Sequence, residues 1–317
     1  MIDSEVIIVG GGPAGSTCAW KLHQKGIETI VLDKKTFPRH KVCAGWITPK
    51  VLKDLELKKE DYPPSILTFK RFHFRFKRRK LTVRTRQYSI RRYEFDHWLL
   101  QRAAVSVYQH TVKEIRKEQG RFIIDDKFRC KYLVGAGGTH CPVYRTLFRK
   151  VNPRAKEMLI IAMEDEFKYD YQDDNCYLWF FENDLPGYSW YIPKGDGYLN
   201  VGLGGKLAIL KNRNQTILNH WNHFVQKLEV LSLVKQPSFN LRGHNYYLRQ
   251  NIEVGQLDNA FIIGDAAGLA TLDMGEGIGQ AVESGLLAAK AIIDGDQYSI
   301  KSVTRYSFIR ILFPWWK

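Results

Sequence analysis

"SEVIIVGGGPAGSTCAWKLHQKGIETIVLDKK", residues 4–35, is the stretch that decides the fold class. It opens with a short apolar run from Val6 to Val9, which predicts a buried strand. A glycine turn and a helical segment follow, and Gly26 is a typical residue for ending such a helix. A second apolar run, Glu28 to Leu32, predicts another strand. The stretch therefore predicts a βαβ unit, the building block of a parallel sheet in an α/β fold.

The glycine spacing inside this stretch indicates a dinucleotide site. Gly10, Gly12 and Gly15 follow the pattern Gly-x-Gly-x-x-Gly, which permits a tight turn, close approach of a pyrophosphate and close packing of helix on strand. The helix N-terminus offers unpaired N–H groups to phosphates. Asp33, which follows the second strand, is placed to accept hydrogen bonds from a ribose. Strand, glycine turn, helix and acid together make this interpretation specific.

Two later segments also place small residues directly after an apolar run. They are "KYLVGAGGTHCPVYR" from Lys131 and "NAFIIGDAAGLATLDMGEGIGQAVESGLLAAKAI" from Asn259. The second carries an acid, Asp265, directly after its strand, and a glycine-rich turn before an Ala-rich helix. Ligands of doubly wound sheets collect at the carboxyl ends of strands, so both segments predict further contacts to the dinucleotide.

The composition is typical of a folded protein with an anionic partner. Of 317 residues, 44% are hydrophobic and 26% are charged, which excludes the disordered and fibrous classes. No apolar run is long enough to span a bilayer and no leader pattern precedes the first strand, so we expect a cytoplasmic location. The cysteines are scattered without a CxxC pair, so we expect reduced thiols and no metal site. The formal charge of +15 indicates association with anionic molecules.

Together these motifs resemble flavoproteins of the para-hydroxybenzoate hydroxylase fold and, among them, the geranylgeranyl reductase family. Besides the first glycine turn, the resemblance rests on "FPRHKVCAG" at 37–45, on "YSIRRYEFDHWLL" at 88–100, and on "GDAAG" followed by "GEGI". It implies an α/β fold in which a Rossmann-like FAD-binding domain with a parallel sheet is interleaved with an antiparallel-sheet substrate domain. It also implies that FAD is the cofactor.

The resemblance further implies domain bounds and cofactor contacts. The FAD-binding domain is expected at 1–66, 88–150 and 252–297, the substrate domain at 67–87 and 151–251, and a C-terminal tail at 298–317. Asp265 is expected to hold the flavin ribityl chain. The positions that match the cofactor contacts of the family are Gly10, Gly12, Pro13, Ala14, Gly15, Asp33, Lys34, Arg39, Cys43, Ala44, Gly45, Arg92, Gly264, Asp265, Gly275, Gly277 and Ile278.

A second signature lies in "GYSWYIPKGDGYLNVGLGG", residues 187–205. It is similar to the family segment Tyr-x-Trp-x-Phe-Pro-Lys followed by Asn-Val-Gly-x-Gly, which lies in the sheet of the substrate domain. Some of its aromatic rings are expected to face the flavin and the substrate. No catalytic residue is assigned, and the pocket candidates are Cys43, Trp190 and Tyr191. Large aromatic residues in strands are otherwise typical of a core.

The family pattern is broken in the segment that begins at Lys131, in the turn after its apolar run. The usual Gly-Ala-Asp-Gly reads "GAGG" at 135–138, so Gly137 stands where an Asp supports the flavin pyrophosphate region in relatives. In addition, Cys141 replaces a common Ser and Ala44 replaces a Gly. FAD binding is expected to tolerate these changes better than any particular chemistry.

The resemblance implies two kinds of flavin chemistry. The first is reduction of carbon–carbon double bonds in a hydrophobic, prenyl or lipid-like substrate by hydride transfer from reduced flavin. The alternative is a flavin-dependent monooxygenase or halogenase acting on an aromatic or carrier-bound substrate, because "YSWYIP" also resembles the Trp-x-Trp-x-Ile-Pro segment of halogenases. No second dinucleotide fingerprint is visible, so NAD(P)H that docks transiently or a partner reductase is expected as electron donor.

The stretch "FKRFHFRFKRRKLTVRTRQYSIRR", residues 69–92, contains no acidic residue. Phe72, Phe74 and Phe76 alternate with cationic residues, which predicts a strand with one apolar and one charged face. The expected partners are a hydrophobic or anionic small-molecule substrate, anionic lipid headgroups at a membrane, or an acidic carrier protein. Nucleic acid is not expected, because the aromatic rings lie on the face opposite to the charges. The ending "YSFIRILFPWWK" predicts an interfacial anchor with Trp315 and Trp316.

Overall fold

The computed structural model describes residues 1–77, 79–235, 238–251, 254–308 and 311. Its strands β1 to β16 are Ile2–Val9, Thr29–Asp33, Trp46–Ile47, Leu67–Phe76, Arg79–Ser89, Ser106–Gln109, Ile115–Glu118, Arg121–Ile124, Phe128–Gly135, Leu159–Lys168, Cys176–Phe180, Gly187–Lys194, Tyr198–Lys206, Arg242–Tyr247, Gln256–Leu257 and Ala260–Ile262. Its helices α1 to α6 are Pro13–Gln24, Pro49–Asp54, Arg92–Arg102, Leu207–Asn212, Ile217–Val230 and Ile278–Asp294.

The first sheet confirms the βαβ prediction. Its main strand order is β15-β16-β9-β1-β2-β6, with β8 pairing β9 and β7 pairing β8. Strand β1 runs parallel to both β2 and β9, and β16 runs parallel to β9. Apolar residues on these central strands are buried on both faces, as expected for a parallel sheet covered by helices. The carboxyl ends of β1, β9 and β16 therefore lie side by side.

The second sheet is mostly antiparallel and has the order β14-β10-β13-β12-β11-β4-β5-β3. The predicted alternation in β4 is confirmed, since Phe72 and Phe74 are fully buried whereas Arg71 is exposed. Helix α5 packs one apolar stripe on this sheet. The stripe consists of Ile217, Trp221, Phe224 and Leu228.

The chain forms two compact units that each contain one sheet. Unit 1 comprises Met1–Arg39, Tyr93–Arg154 and Tyr247–Tyr306. Unit 2 comprises His40–Arg92, Ala155–Tyr246 and the described residues from Ser307. The α/β fold class and the two interleaved sheets agree with the sequence prediction.

The bounds of the units differ from those drawn from the sequence. Residues 40–66 belong to unit 2 because Trp46 and Ile47 pair with Ser89 and Tyr88 in the second sheet. Residues 298–306, predicted to belong to a tail, are part of unit 1 because Tyr298 and its neighbours are buried in the unit 1 core. The predicted anchor with Trp315 and Trp316 lies outside the described residues.

Candidate functional site

The turn between β1 and α1 can be made only by glycine at two positions. Gly10 has φ +116°, and a Cβ there would lie 2.4 Å from the carbonyl oxygen of Ala136. A Cβ on Gly15 would lie 1.9 Å from the carbonyl oxygen of Gly10, so the helix touches the strand backbone. Such contacts leave no room for any side chain. The roles expected for the first and third glycines of the motif are therefore present.

The start of α1 presents donors suited to phosphate. Gly12 is the N-cap in extended conformation, no side chain caps the helix, and its first turn holds no acidic residue. The first N–H groups of an α-helix have no intrahelical partner and attract anions. The Arg39 Nη2 atom lies 3.5 Å from the place where a Gly12 side chain would begin. This guanidinium also pairs with the buried Asp96 carboxylate at 3.3 Å.

The Asp33 carboxylate is held at the end of β2 by backbone N–H groups. Its Oδ2 atom accepts a hydrogen bond from Gly11 N at 2.8 Å, and Oδ1 accepts one from Lys35 N at 2.9 Å. Each carboxylate oxygen can accept a further hydrogen bond, so both remain able to bind ribose hydroxyl groups. The neighbouring predicted contact, Lys34, is exposed.

The third strand-end turn lies next to the first. Gly264 has φ +57°, and its missing side chain would begin 3.1 Å from the Ala14 Cβ atom. A Cβ on Gly285 of α6 would lie 2.5 Å from the carbonyl oxygen of Ala14, so α1 and α6 pack backbone to backbone. The Ser284 hydroxyl accepts a hydrogen bond from Gly264 N at 2.9 Å. The structure thus brings the two glycine motifs together, although 249 positions separate Gly15 from Gly264 (264 − 15).

Asp265 faces the N-terminus of the long helix α6. Its Oδ1 atom lies 3.3 Å from the position that a Cβ on Gly277, the N-cap of α6, would occupy. Gly275 has φ +63°, and Ile278 is buried at the first position of α6. A carboxylate beside exposed N–H groups offers both acceptors and donors to the hydroxyl groups of a ribityl chain. In unit 1, the glycine turns leave room for FAD, and the N-termini of α1 and α6 with the carboxylates of Asp33 and Asp265 offer it hydrogen-bond donors and acceptors.

Unit 2 holds the predicted segment Cys43-Ala44-Gly45 through two buried charged side chains. The Lys194 ammonium donates hydrogen bonds to the carbonyl oxygens of Ala44 and of Ile90, the latter at 2.8 Å. The Glu164 carboxylate accepts a hydrogen bond from Cys43 N at 2.8 Å. Gly45 has φ +67°, and a Cβ there would collide with Ile90 O and Lys194 Nζ. Neither Lys194 nor Glu164 was predicted as a site residue.

Burial changes the acid–base properties of both groups. Lys194 is fully buried, which lowers the pKa of its ammonium group, while the negative charge of Glu166 opposes this change. Burial raises the pKa of Glu164 from 4.5 to about 7, against the Cys43 N–H group and the positive charge of Lys194. The Glu164 Oε2 atom has no hydrogen-bond partner among the described residues. Asn200 lowers the pKa of Glu164, yet its Nδ2 atom does not reach hydrogen-bond geometry.

The pocket candidates Trp190 and Tyr191 point to opposite faces of the second sheet, because neighbouring strand residues alternate. Trp190 shares a row of the sheet with Gly202 and Glu164, and its Nε1–H donates to Asn200 Oδ1 at 2.7 Å. Tyr191 is fully buried in the core under α5, and burial raises the pKa of its hydroxyl group. The third candidate, Cys43, is half-buried.

The face of Trp190 carries a continuous series of aromatic rings, which we call the aromatic face. Neighbouring ring centroids lie between 4.9 and 6.3 Å apart, within the range of favourable aromatic pairs. Glu164 lies on the same face. The series runs through Phe72, Phe74, Phe180, Tyr188 and Trp190.

Two further predictions concern ions and membranes. Within the described ranges, no group of His, Cys, Asp or Glu side chains has the arrangement of a metal site. In the same part of the chain, no helix combines the length and apolarity needed to cross a membrane. Arg92, one of the expected cofactor contacts, is buried at the start of α3.

The sequence is similar to known flavoproteins. Residues 5–98 match a model of FAD-dependent oxidoreductases. An uncharacterised protein of Methanosarcina barkeri is 34% identical over 91% of this chain and 74% of its own length. A digeranylgeranylglycerophospholipid reductase of Methanosphaera stadtmanae is 25% identical over 96% of this chain and 82% of its own length.

Solved structures share the fold. A geranylgeranyl bacteriochlorophyll reductase-like protein from Thermoplasma acidophilum superimposes with a TM-score of 0.79, at 23% identity, over 94% of this chain and 81% of that one. The flavin-dependent halogenase CmlS gives a TM-score of 0.76, at 23% identity, over 93% of this chain and 58% of that one. The glycine turns fit FAD, and the matching family model is one of FAD-dependent oxidoreductases. The chain belongs to the FAD-dependent oxidoreductases and is similar over most of its length to reductases of geranylgeranylated lipids.

Proposed function

We propose that this protein reduces carbon–carbon double bonds in the isoprenoid chain of a prenyl lipid. The observation that carries the proposal is the aromatic face with one buried carboxyl group, Glu164, beside it. Relatives named as reductases of digeranylgeranylglycerophospholipids and of geranylgeranyl diphosphate support the substrate class. A continuous series of aromatic rings suits an apolar chain that offers no hydrogen bonds. Phe76 and Tyr188, which are partly exposed, would make the first contacts.

Saturation of a double bond needs one hydride and one proton. Bound FAD, once reduced, supplies the hydride, with NAD(P)H or a partner reductase as the source of electrons. Glu164 holds the proton at Oε2, the carboxyl oxygen without a partner, and transfers it to the carbon next to the one that receives hydride. The Cys43 N–H group stays bound to Oε1 and orients the carboxyl group throughout.

The competing function is oxygen-dependent halogenation or hydroxylation. The observation that favours it is the sequence Trp190-x-Ile192-Pro193, which resembles the halogenase segment and occupies β12. In this structure the Trp190 indole is engaged by Asn200 and is nearly buried. That engagement supports a structural role for Trp190.

One experiment separates the two functions. FAD-loaded protein would be reduced with dithionite under anaerobic conditions, mixed with a geranylgeranylated glycerophospholipid, and the lipid analysed by mass spectrometry. We expect the lipid to gain two hydrogen atoms for each reduced bond, and protein without FAD is the control. Replacing dithionite with NADPH tests the electron donor. An unchanged lipid, together with oxygen-dependent modification of an aromatic substrate, would contradict the reductase proposal.

We further propose that anionic lipid headgroups bind a cationic face on β4 and β5. This face comprises Arg71, Arg75, Lys80 and Arg84. Arg71 lies directly opposite Arg84, and Arg75 lies directly opposite Lys80. Like charges in opposed positions destabilise a sheet unless an anion compensates them. His73 between them stacks on Tyr177 with ring centroids 4.6 Å apart, and burial lowers the pKa of its imidazole.

Vesicle flotation tests the cationic face. We expect binding to phosphatidylglycerol vesicles at low salt and loss of binding when the four residues are changed to Glu. The matched control changes four exposed lysines elsewhere, Lys25, Lys113, Lys150 and Lys211, to Glu, which alters net charge equally. Equal loss in both variants would contradict a defined surface. Failure to bind vesicles combined with capture of an acidic carrier protein would replace the lipid by that partner.

A further inference from the structure

Arg154 joins the ends of two parallel strands in unit 1. Its Nη1 atom donates to Thr139 O at 2.5 Å, and Nη2 donates to Ala266 O at 2.7 Å and to Asp265 O at 3.3 Å. Thr139 lies in the turn Gly138–His140 after β9, and Asp265 lies in the turn Gly264–Ala266 after β16. Because β9 and β16 are parallel neighbours, both turns lie at the same edge of the sheet. One side chain thus fixes their separation.

The guanidinium is itself held in place. It lies over the ring of Tyr144 at 3.7 Å and over that of Tyr247 at 5.1 Å, both within reach of a cation–π contact. Burial lowers the pKa of Arg154, while Tyr144 and Tyr247 oppose this effect. Its Nε atom is buried without a hydrogen-bond partner among the described residues. A buried polar atom without a partner is uncommon in folded proteins and calls for an explanation.

The turn that Arg154 holds is the one that departs from the family pattern. A Cβ on Gly137 would lie 3.2 Å from the Cys141 Cα atom, so an Asp side chain would require Cys141 to shift slightly. The turn therefore lacks the carboxylate that would interact with its neighbours. Arg154 contacts the same turn through the carbonyl oxygen of Thr139.

We infer that Arg154 is a positioning residue for the flavin half of FAD, acting through the carbonyl groups of Thr139, Asp265 and Ala266. The inference rests on FAD as the cofactor and is independent of the substrate proposed above. By fixing the backbone of Asp265, Arg154 orients the carboxylate that faces the N-terminus of α6.

The test compares Arg154→Met with Arg249→Met in apoprotein. Arg249 is the control because it is also an arginine of unit 1 whose guanidinium donates to backbone carbonyl groups, here those of Val303 and Ile300; it is buried, whereas Arg154 is half-buried. Both variants are expected to lower Tm. Only Arg154→Met should raise the Kd for FAD, by roughly tenfold or more, as outer residues that orient ligand groups do.

A second ligand separates positioning from general damage. ADP lacks the ribityl chain and the isoalloxazine, so its Kd should stay within about threefold of the wild-type value in Arg154→Met, whereas Asp33→Ala should weaken ADP and FAD alike. Equal loss of FAD affinity in the two arginine variants, or equal loss of ADP and FAD binding in Arg154→Met, would overturn the inference.

If Arg154→Met does not fold, Arg154→Lys and a double-mutant cycle with Asp265→Asn provide the test. We expect the two substitutions to be non-additive in FAD affinity, because both act on one turn. Additive effects would mean that Arg154 does not act through the Asp265 turn and would overturn the inference.

Discussion

The sites of the two units are held in place by different kinds of contact. In unit 1 the site consists of turns in which glycine admits backbone to backbone contact, as at Gly10, Gly15 and Gly285. In unit 2 the segment Cys43–Gly45 is tied to the sheet by charged side chains, Lys194 and Glu164. The first kind of site fails when atoms are added, and the second fails when charge is changed. Substitutions that add atoms should therefore disrupt the site in unit 1, and substitutions that change charge should disrupt the segment in unit 2.

Gly15→Val should have the largest effect. Its Cβ would lie 1.9 Å from Gly10 O, so α1 cannot keep its contact with β1. We expect no FAD to co-purify and a loss of at least about 3 kcal/mol of stability, measured by flavin absorbance and urea unfolding. The control is Gly26→Ala, where φ is +71° but no atom lies within 4 Å. That variant should lose only about 1 kcal/mol and retain FAD.

Lys194→Met should destabilise by about 2–4 kcal/mol, because the carbonyl oxygens of Ala44 and Ile90 lose a buried donor. Unfolding in urea measures this loss, and Lys211→Met on the exposed surface of α4 is the control. A Lys194→Met variant as stable as the control would show that the ammonium group does not hold Cys43–Gly45 in place.

Glu164→Gln should change the pH dependence of stability. The pKa of Glu164 is raised from 4.5 to about 7, so the native state binds more protons than the unfolded state between these values. Its contribution to stability therefore falls as pH rises through this window, by on the order of 2–3 kcal/mol. The variant should lack this fall when unfolding is measured at pH 5 and pH 8. Parallel pH profiles would mean that the carboxyl group titrates normally.

The Glu164→Gln variant also tests whether Glu164 is the proton donor in the proposed reaction. If Glu164 is the proton donor, the rate of lipid reduction by the wild type should decline above pH 7, and Glu164→Gln should be slow at every pH. An unchanged rate in the variant would leave Glu164 as an anchor for Cys43 only.

Arg84→Gln should have the smallest effect. It removes one member of the opposed pair Arg71 and Arg84 and should stabilise the protein by about 0.5 kcal/mol at low salt. The gain should vanish at high salt, where the repulsion is screened. Thermal unfolding in low and high NaCl measures it, and a gain that is independent of salt would contradict repulsion as its cause.

The two units also differ in how much of their sites could be predicted from the sequence. The turns at Gly10–Gly15 and at Gly264–Asp265 were predictable because strand, turn and helix are encoded within a few consecutive residues. The anchors of unit 2 were not, since Cys43 and Glu164 are 121 positions apart, and Lys194 and Ala44 are 150 positions apart. Partners so distant leave no local pattern.

Two other residues show the limit of motif reasoning. Arg154 follows no motif, and only the pairing of β9 with β16 reveals why it lies where it does. Tyr191 lies inside a recognisable signature, yet strand alternation turns it into the core under α5. A signature locates a strand, but the packing of the sheet decides which of its residues face a ligand.

Because the other cysteines are buried, Cys43 can serve as a selective labelling site in unit 2. Cys18, Cys130, Cys141 and Cys176 are buried, and burial raises the pKa of Cys18 and of Cys130 to about 12, so their reactive thiolate forms are scarce. Cys43 is the one partly exposed thiol of the five. A thiol reagent should therefore modify the native chain first at the segment held by Glu164 and Lys194. A change in that labelling rate in the Glu164 or Lys194 variants reports a change in the exposure of the segment, without removal of any other cysteine.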